Sequence, residues 1–418
     1  MSKRRRHLVV YSVSTVMVLL VGLLAVSCYQ CRGVPRTATP TGSPIVRVLV
    51  ADAGTGESII VGATGPYEIH AGSSVVTRSM APLPEGNLSR RSGRWTFQTV
   101  DYTCDELVVV AVGKSCVRVN SRPYRGKVVF TAESDGLILA VNHLDMESYL
   151  AGVLARELYQ SWHIRAYQAQ AIAARTYAFY EMGTFGRTHR YDLRADQSSQ
   201  VYGGYQAETE IARRAVETTR GIVLTYGPDG NEKVFKAYYS SCCGGMTNSA
   251  YVLSGPPITS GPLSGGQKCD DCNASSRYRW PAVTVPKDVI YNALRRQYRQ
   301  VADLGGIKTI EVAEEERPGG DFSRPVWINA VGTNGRKVRI RADDLRISLL
   351  RDGQAQGLYS MNCRIRDTGS AIVFDCGRGF GHGVGLCQWG AQGKAMRGYS
   401  VEEILSDYYP GAKLFQAY

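Results

Sequence analysis

The sequence predicts an α+β protein: mostly antiparallel sheets, a helical hairpin carrying an acidic residue, and a smaller inserted α/β subdomain. Three observations carry this. Short β-type runs separated by Gly, Asn and Pro turns fill residues 45–140. From Met146 to about Met182 the apolar spacing becomes helical, with a break near "YQSWH". Strand-like and helical runs then mix through 273–350, before a glycine-dense stretch that closes the chain.

Taken in order, residues 1–36 open with "KRRRH" and an uncharged apolar run, Leu8–Val26, long enough to span a bilayer. The basic flank places the start of the chain in the cytoplasm and the bulk outside it. The run ends in "LAVSC", which also fits a lipoprotein with Cys28 lipidated, or a secreted chain. Its length favours a single-pass anchor over a cleaved signal. Residues 37–44, "TATPTGSP", read as a short stiff linker. The exported region is then 45–418.

Of the formal net charge of +12, the six Lys and Arg within residues 1–45 account for half, with no acid beside them. The remaining positive balance suits an anionic surface such as cell wall, membrane or nucleic acid and selects none of them. With 44% hydrophobic and 21% charged residues, wholesale disorder is excluded.

The β-rich part contains "IVRVLVAD", "SIIVGA", "ELVVVAVG", "SCVRVN", "KVVFTAE" and "LILAVN". The helical motif and a cysteine cluster occupy 141–272, with strand-like "GIVLTYG" and "KVFKAYYSSC". In the insertion, "PKDVIYNALRRQYRQVADLG" reads as helix; "KTIEVAEE", "PVWINAVG" and "KVRIRADDLRISLL" read as strands around a turn at Asn334–Gly335. Residues 351–418 hold the glycine-rich loop and a short helix near "VEEILSDYY".

Eleven cysteines in an exported chain suggest disulfides. Cys104 with Cys116, and Cys363 with Cys376, each flank a strand-like segment that a bridge would staple. Cys242, Cys243, Cys269 and Cys272 are denser; two disulfides are one reading, and a zinc knot, with Cys242, Cys269 and Cys272 as candidate ligands, is the other.

Within "SYLAGVLARELYQSW", Leu150, Val153 and Leu154 share a helix face, and that face reaches Glu157. A carboxyl beside packed apolar side chains is desolvated, which raises its pKa and suits a general acid. The structural alternative is a buried Glu paired with an Arg, such as Arg175 on the next helix. Tyr159 and Trp162 offer aromatic faces on which sugar rings stack. The next helix, "AYQAQAIAARTYAFY", is rich in alanine, the mark of a close-packed face; Gln170 and Arg175 are its polar exceptions, able to reach Glu157 or a ligand. In "GRGFGHGVGLCQWGAQG", His382 stands between glycines where a core histidine would not, and Gln388 and Trp389 are candidate sugar contacts. "YYSSCCGG" adds Tyr239 and Ser241, read as substrate binding or turn structure, since a serine nucleophile lacks its strand–elbow–helix context here.

Three of these stretches, "YLAGVLARELYQSWHIRAYQAQAIAARTYA", "YYSSCCGGMT" and "GFGHGVGLCQWGAQGKA…ILSDYYPGAKL", resemble the family of stage II sporulation protein D and the amidase enhancers. "YRGKVVF…LAVNHLDMESYL" and "RPVWINAVG…DDLR" extend the resemblance, in order, across nearly the whole exported region. It implies a membrane-anchored lytic transglycosylase that cleaves peptidoglycan glycan strands after N-acetylmuramic acid, with Glu157 as the acid/base and wall remodelling of the sporulation type as the setting. Peptidoglycan, and a wall amidase or another membrane wall-remodelling protein, are the implied partners, and nucleic acid is not. The enhancer branch implies an alternative: a non-catalytic module that binds peptidoglycan and recruits or stimulates an amidase. An ordinary hydrolase would need a second carboxylate, for which Asp192, Asp196 and Glu181 are candidates. The sequence departs from the family's pattern at Tyr159 and Gln160, where a proline is usual, and at Cys387, where a small hydroxyl residue is usual. Some members hold zinc with a His and two Cys; here "THRYDLRADQSSQVYGG" keeps His189 without a cysteine, so no cofactor is expected at that place.

Overall fold

The computed structural model describes residues 42–418 apart from positions 259, 320, 321 and 352. The expected anchor, Cys28 and most of the linker lie outside the described residues. Among those described, no helix is long and apolar enough to cross a membrane.

All six β-type runs of the 45–140 region form strands. The larger sheet has seven strands, in the order Leu193–Arg194, Ile45–Ala53, Ile138–Asp145, Lys127–Ala132, Leu107–Ala111, Tyr67–Ala71 and Ser74–Ser79. Its pairs are antiparallel except the short Leu193–Arg194 strand, which runs parallel to Ile45–Ala53. A six-stranded antiparallel sheet accompanies it. Two of its strands escaped the sequence reading: Leu83–Arg91 is mostly polar, with Leu83 and Leu88 alone buried, and Arg94–Phe97 is only four residues long, with Trp95 and Phe97 turned inward.

The helical hairpin follows directly. Helix α1 (Met146–Glu157) starts at Asp145, whose carboxylate accepts from the Ser148 N–H at 3.1 Å. Helix α2 (Ile164–Gly183) is buried along most of its length, which explains its alanines. Tyr167, Ala171, Ala174 and Ala178 pack into the core shared with α1 and the sheets. Ala166, Ala169 and Ala173 pack on the other side, against a second core built around the cysteines. A helix between two cores needs small side chains on both faces, because each methylene there would displace a neighbour. Helix α3 (Glu210–Thr218) packs against both α1 and α2.

Helices α4 (Lys287–Gln297), α5 (Arg299–Ala302) and α6 (Ala342–Arg351) belong to the insertion, with the antiparallel sheet of Ile307–Gly319, Phe322–Gly332 and Lys337–Arg341. Its separate core runs from Trp280 to Phe374, beyond the expected limit at residue 350. The segment read as one strand from Lys337 divides: "ADDLRISLLR" is helical. Leu345 and Leu349, one turn apart, are both fully buried there, and two aspartates occupy the first turn.

The C-terminal glycine-rich stretch is also not all loop. Helix α7 (Gln388–Met396) forms within it, and α8 (Val401–Tyr408) follows with a capping box of Ser400 and Glu403. Gly390 and Gly393 interrupt helical propensity, yet they are needed: a Cβ on Gly390 would lie 2.0 Å from the Tyr408 hydroxyl. A Cβ on Gly393 would lie 2.2 Å from the Asp271 carbonyl.

No disulfide forms among the nine described cysteines. Cys104 and Cys116 are therefore not stapled, nor are Cys363 and Cys376. The latter pair stands just past the ladder step Arg364↔Asp375, but Cys376 takes a left-handed φ of 55° and is exposed, while Cys363 is buried.

Candidate functional site

Glu157 is the last residue of α1, and Leu158 leaves the helix with φ −123°. The carboxylate thus stands at the negative end of the helix dipole, beside fully buried Leu150, Val153 and Leu154. It is half-buried. Its Oε2 accepts from Gln388 Nε2 at 3.1 Å, and its Oε1 from the Val201 N–H at 3.3 Å. Burial lifts its pKa above the ordinary 4.5, while those two hydrogen bonds pull it back only in part. No ion pair among the described residues includes Glu157.

Arg175, the partner that a structural reading would assign to Glu157, binds Glu147 instead. Its Nη2 and Nε lie 2.6 Å and 3.2 Å from the two carboxylate oxygens, and its Nη1 donates to the Ile222 carbonyl at 3.1 Å. With no exposed surface, Arg175 joins α2 to α1 and to the strand beyond, and offers nothing to a ligand. Gln170 is buried as well, with both amide atoms lacking a hydrogen-bond partner among the described residues. Neither residue lines the groove.

That groove, about 550 Å³, is lined by Glu157 together with Tyr159, Trp162, Tyr239, Ser241, His382 and Gln388. Seven of the ten residues singled out by sequence therefore converge from three separate segments. Trp389 joins them from behind: its ring centroid is 5.0 Å from that of Trp162 and 5.9 Å from that of Tyr159. Within this cluster Tyr159 is 58% exposed and Trp162 only 7%, so Tyr159 presents the open aromatic face.

The Tyr239 hydroxyl accepts from Gln200 Nε2 at 2.9 Å, and Gln200 Oε1 accepts from the Tyr149 hydroxyl at 3.0 Å. Burial, and then the charge of Glu157, hold the Tyr239 phenol protonated well beyond its usual range. The Ser241 carbonyl accepts from the Trp389 N–H at 3.0 Å, which ties the start of α7 to the "YYSSCC" turn. His382 accepts the Val384 N–H at its Nδ1, at 3.0 Å, and burial pushes its pKa down to about 4. It is a neutral imidazole at physiological pH.

None of the three alternative carboxylates lines this groove. Asp192 accepts from the Arg47 N–H at 2.8 Å. Glu181 pairs with Lys236 at 2.7 Å. Asp196 accepts from the Ser198 N–H at 2.8 Å and lines an adjoining cavity. Among the described residues that line the groove, Glu157 is the one carboxylate.

Sequence reasoning missed Gln197, Ser199 and Val201, from the loop after Leu193–Arg194, and Arg346, from α6. The loop has no periodicity to mark it. Arg346 is held by Asp343 at 2.7 Å, an i,i+3 pair visible in the sequence only once the segment is read as a helix. His189 stacks on Phe185 with centroids 3.6 Å apart, and with no cysteine in its stretch it does not provide the His-and-two-Cys zinc site of some relatives. Cys269 and Cys272 do lie together, but with Cys243 and Cys387 rather than with Cys242.

Residues 134–226, which span α1, α2 and α3, match the model of the SpoIID family, described as "Stage II sporulation protein". An uncharacterized protein of Brachyspira hyodysenteriae is 31% identical over 71% of this chain and 73% of its own length. Stage II sporulation protein D of Bacillus subtilis is 26% identical over 66% of this chain and 76% of its own. The amidase enhancer of the same organism is 28% identical over 63% of this chain but only 40% of its own length. The matches extend well beyond the hairpin that carries Glu157, and on that extent the chain belongs to the SpoIID family of stage II sporulation proteins and amidase enhancers.

Proposed function

We propose that this protein is a peptidoglycan lytic transglycosylase with Glu157 as its single acid/base, working outside the cytoplasm from an N-terminal membrane anchor, in wall remodelling of the sporulation type. The observation that carries the reading is a lone, desolvated carboxyl in a groove with an aromatic edge. A hydrolase would need a second carboxylate to activate water or to act as nucleophile. The lytic route needs one. The Glu157 carboxyl protonates the glycosidic oxygen as its bond to the muramic C1 breaks. The resulting carboxylate then takes the proton of the muramic C6 hydroxyl as that oxygen attacks C1. An anhydro ring forms, no water is consumed, and Glu157 ends protonated. A raised pKa suits the first half of this cycle, since the acid must hold its proton before it gives it. Gln388, which favours the carboxylate, suits the second half.

A second reading draws on the amidase-enhancer relative: the groove binds glycan and the protein recruits or stimulates an amidase. The two part on product chemistry. Full chain, wild type and Glu157→Gln, would be incubated with peptide-free glycan strands and the fragments weighed by mass spectrometry. The lytic reading expects anhydro-muramic ends, one water lighter than hydrolytic ends, from wild type alone. Equal binding by both proteins without cleavage would support the recruiting module, and reducing ends would point to hydrolysis.

A further inference from the structure

We propose that Cys243, Cys269, Cys272 and Cys387 bind a structural zinc ion directly behind the groove. The four sulfur atoms lie within 4.8 Å of one another, and all four residues are fully buried. The Cys243 and Cys272 sulfurs are 3.7 Å apart. A tetrahedral zinc with bonds of about 2.3 Å to sulfur sets its ligands about 3.8 Å apart along each edge. The spacing is far beyond a disulfide bond of about 2.05 Å. It is also too close for four sulfurs that share no purpose, since thiols are weak hydrogen-bonding groups and gain little by mutual contact.

The surroundings are those a thiolate cluster needs. Both the Cys243 N–H, at 3.3 Å, and the Gly390 N–H, at 3.4 Å, point at the Cys387 sulfur. The Tyr408 hydroxyl lies 3.0 Å from the Cys269 sulfur. Four thiolates around a divalent ion carry a net charge of about −2, and donors aimed at the sulfurs spread that charge and fix the ligands. A Cβ on Gly390 would stand 2.4 Å from the Cys269 sulfur, so only glycine lets the α7 backbone approach this closely. A fully sulfur-ligated, closed tetrahedral set with no open position is the arrangement of a structural rather than a catalytic zinc.

The ligands come from three segments, two of which also build the groove. Cys387 precedes Gln388, the residue that donates to Glu157, and Cys243 follows the turn bearing Ser241. The ion would therefore lock two walls of the groove together. This inference does not depend on the groove's activity, because its test reads metal and thiols.

The full chain, purified without a metal-binding tag or chelator, would be assayed for metals by plasma mass spectrometry. The expected result is one zinc per chain, released by a mercurial reagent as four thiols react. Cys272→Ser and Cys387→Ser should lose the zinc. Cys242→Ser, which changes the buried neighbour outside the quartet, should keep it. If the ligand variants fail to fold, zinc content and thiol titration of wild type with Cys242→Ser still decide the matter. Less than half a zinc per chain, stoichiometric iron, two disulfides among these cysteines, or zinc loss in Cys242→Ser would each overturn the assignment.

Discussion

Arg175 offers a decisive test of how the hairpin is held, because the sequence offered it Glu157 or a ligand and the structure assigns it to Glu147 instead. Replacing it by Met keeps the volume and removes the charge. In the native chain its guanidinium is fully buried, makes two bonds to Glu147 at 2.6 and 3.2 Å, and donates to the Ile222 carbonyl at 3.1 Å. Without it, Glu147 keeps the Gly221 N–H and the Tyr418 hydroxyl but stays buried without a counter-charge. Breaking a buried pair from one side costs about 3–5 kcal/mol. At a few degrees per kcal/mol, that lowers the melting temperature on the order of 10 °C. The double variant Arg175→Met/Glu147→Leu should recover part of the loss, because it removes the unpaired charge but leaves the Gly221 N–H, the Tyr418 hydroxyl and the Ile222 carbonyl without these partners. The assay is thermal unfolding of wild type, both single variants and the double, with glycan-strand binding measured below the transition. Normal melting of Arg175→Met with weakened glycan binding would refute the reasoning and return Arg175 to the substrate side.

The remaining predictions concern the groove. Cleavage should fall as pH rises through a Glu157 pKa above the ordinary 4.5, and Gln388→Leu, which removes a bond favouring the carboxylate, should move that falling limb to higher pH. The sign for stability follows from the same shift: a carboxyl whose folded pKa is raised costs stability once it ionises, so Glu157→Gln should melt above wild type at pH 7 and match it near pH 4. A melting difference of opposite sign at pH 7 would contradict the desolvated carboxyl. Tyr159→Ala removes the exposed ring of the aromatic cluster, and should weaken glycan binding several-fold, about 1 kcal/mol, with an unchanged melting temperature. Titration with glycan fragments would expose the alternative, an unaltered affinity.

Much of the hairpin was legible because its signals are local. Helical spacing from Leu150 to Glu157 and the alanine pattern of α2 both act within a few turns, so backbone geometry alone sets which side chains share a face. The same holds for the apolar strands of residues 45–140. Legibility failed where local preference and tertiary packing disagree. Gly390 and Gly393 argue for loop, yet they stand within α7, where close neighbours leave no room for a Cβ. In the six-stranded sheet, Leu83–Arg91 is mostly polar and Arg94–Phe97 spans only four residues, too little for the Trp95 and Phe97 alternation to stand out, so main-chain pairing identifies them.

By itself the sequence determined that Glu157 stands on the apolar side of a helix, and that Tyr239, Ser241, His382 and Gln388 lie in short stretches dense in small residues. Only the tertiary structure decided the partners. Glu157 meets Gln388, which is 231 positions away, and not Arg175 on the neighbouring helix. Cys243 and Cys387 complete the sulfur quartet in place of Cys242, because the strands Tyr239–Ser240 and Leu386–Cys387 pair in parallel and bring their ends together. Spacing along a chain fixes the direction in which a side chain leaves its own helix or strand. Which groups meet there is set by the packing of elements distant in sequence, and no local pattern encodes it.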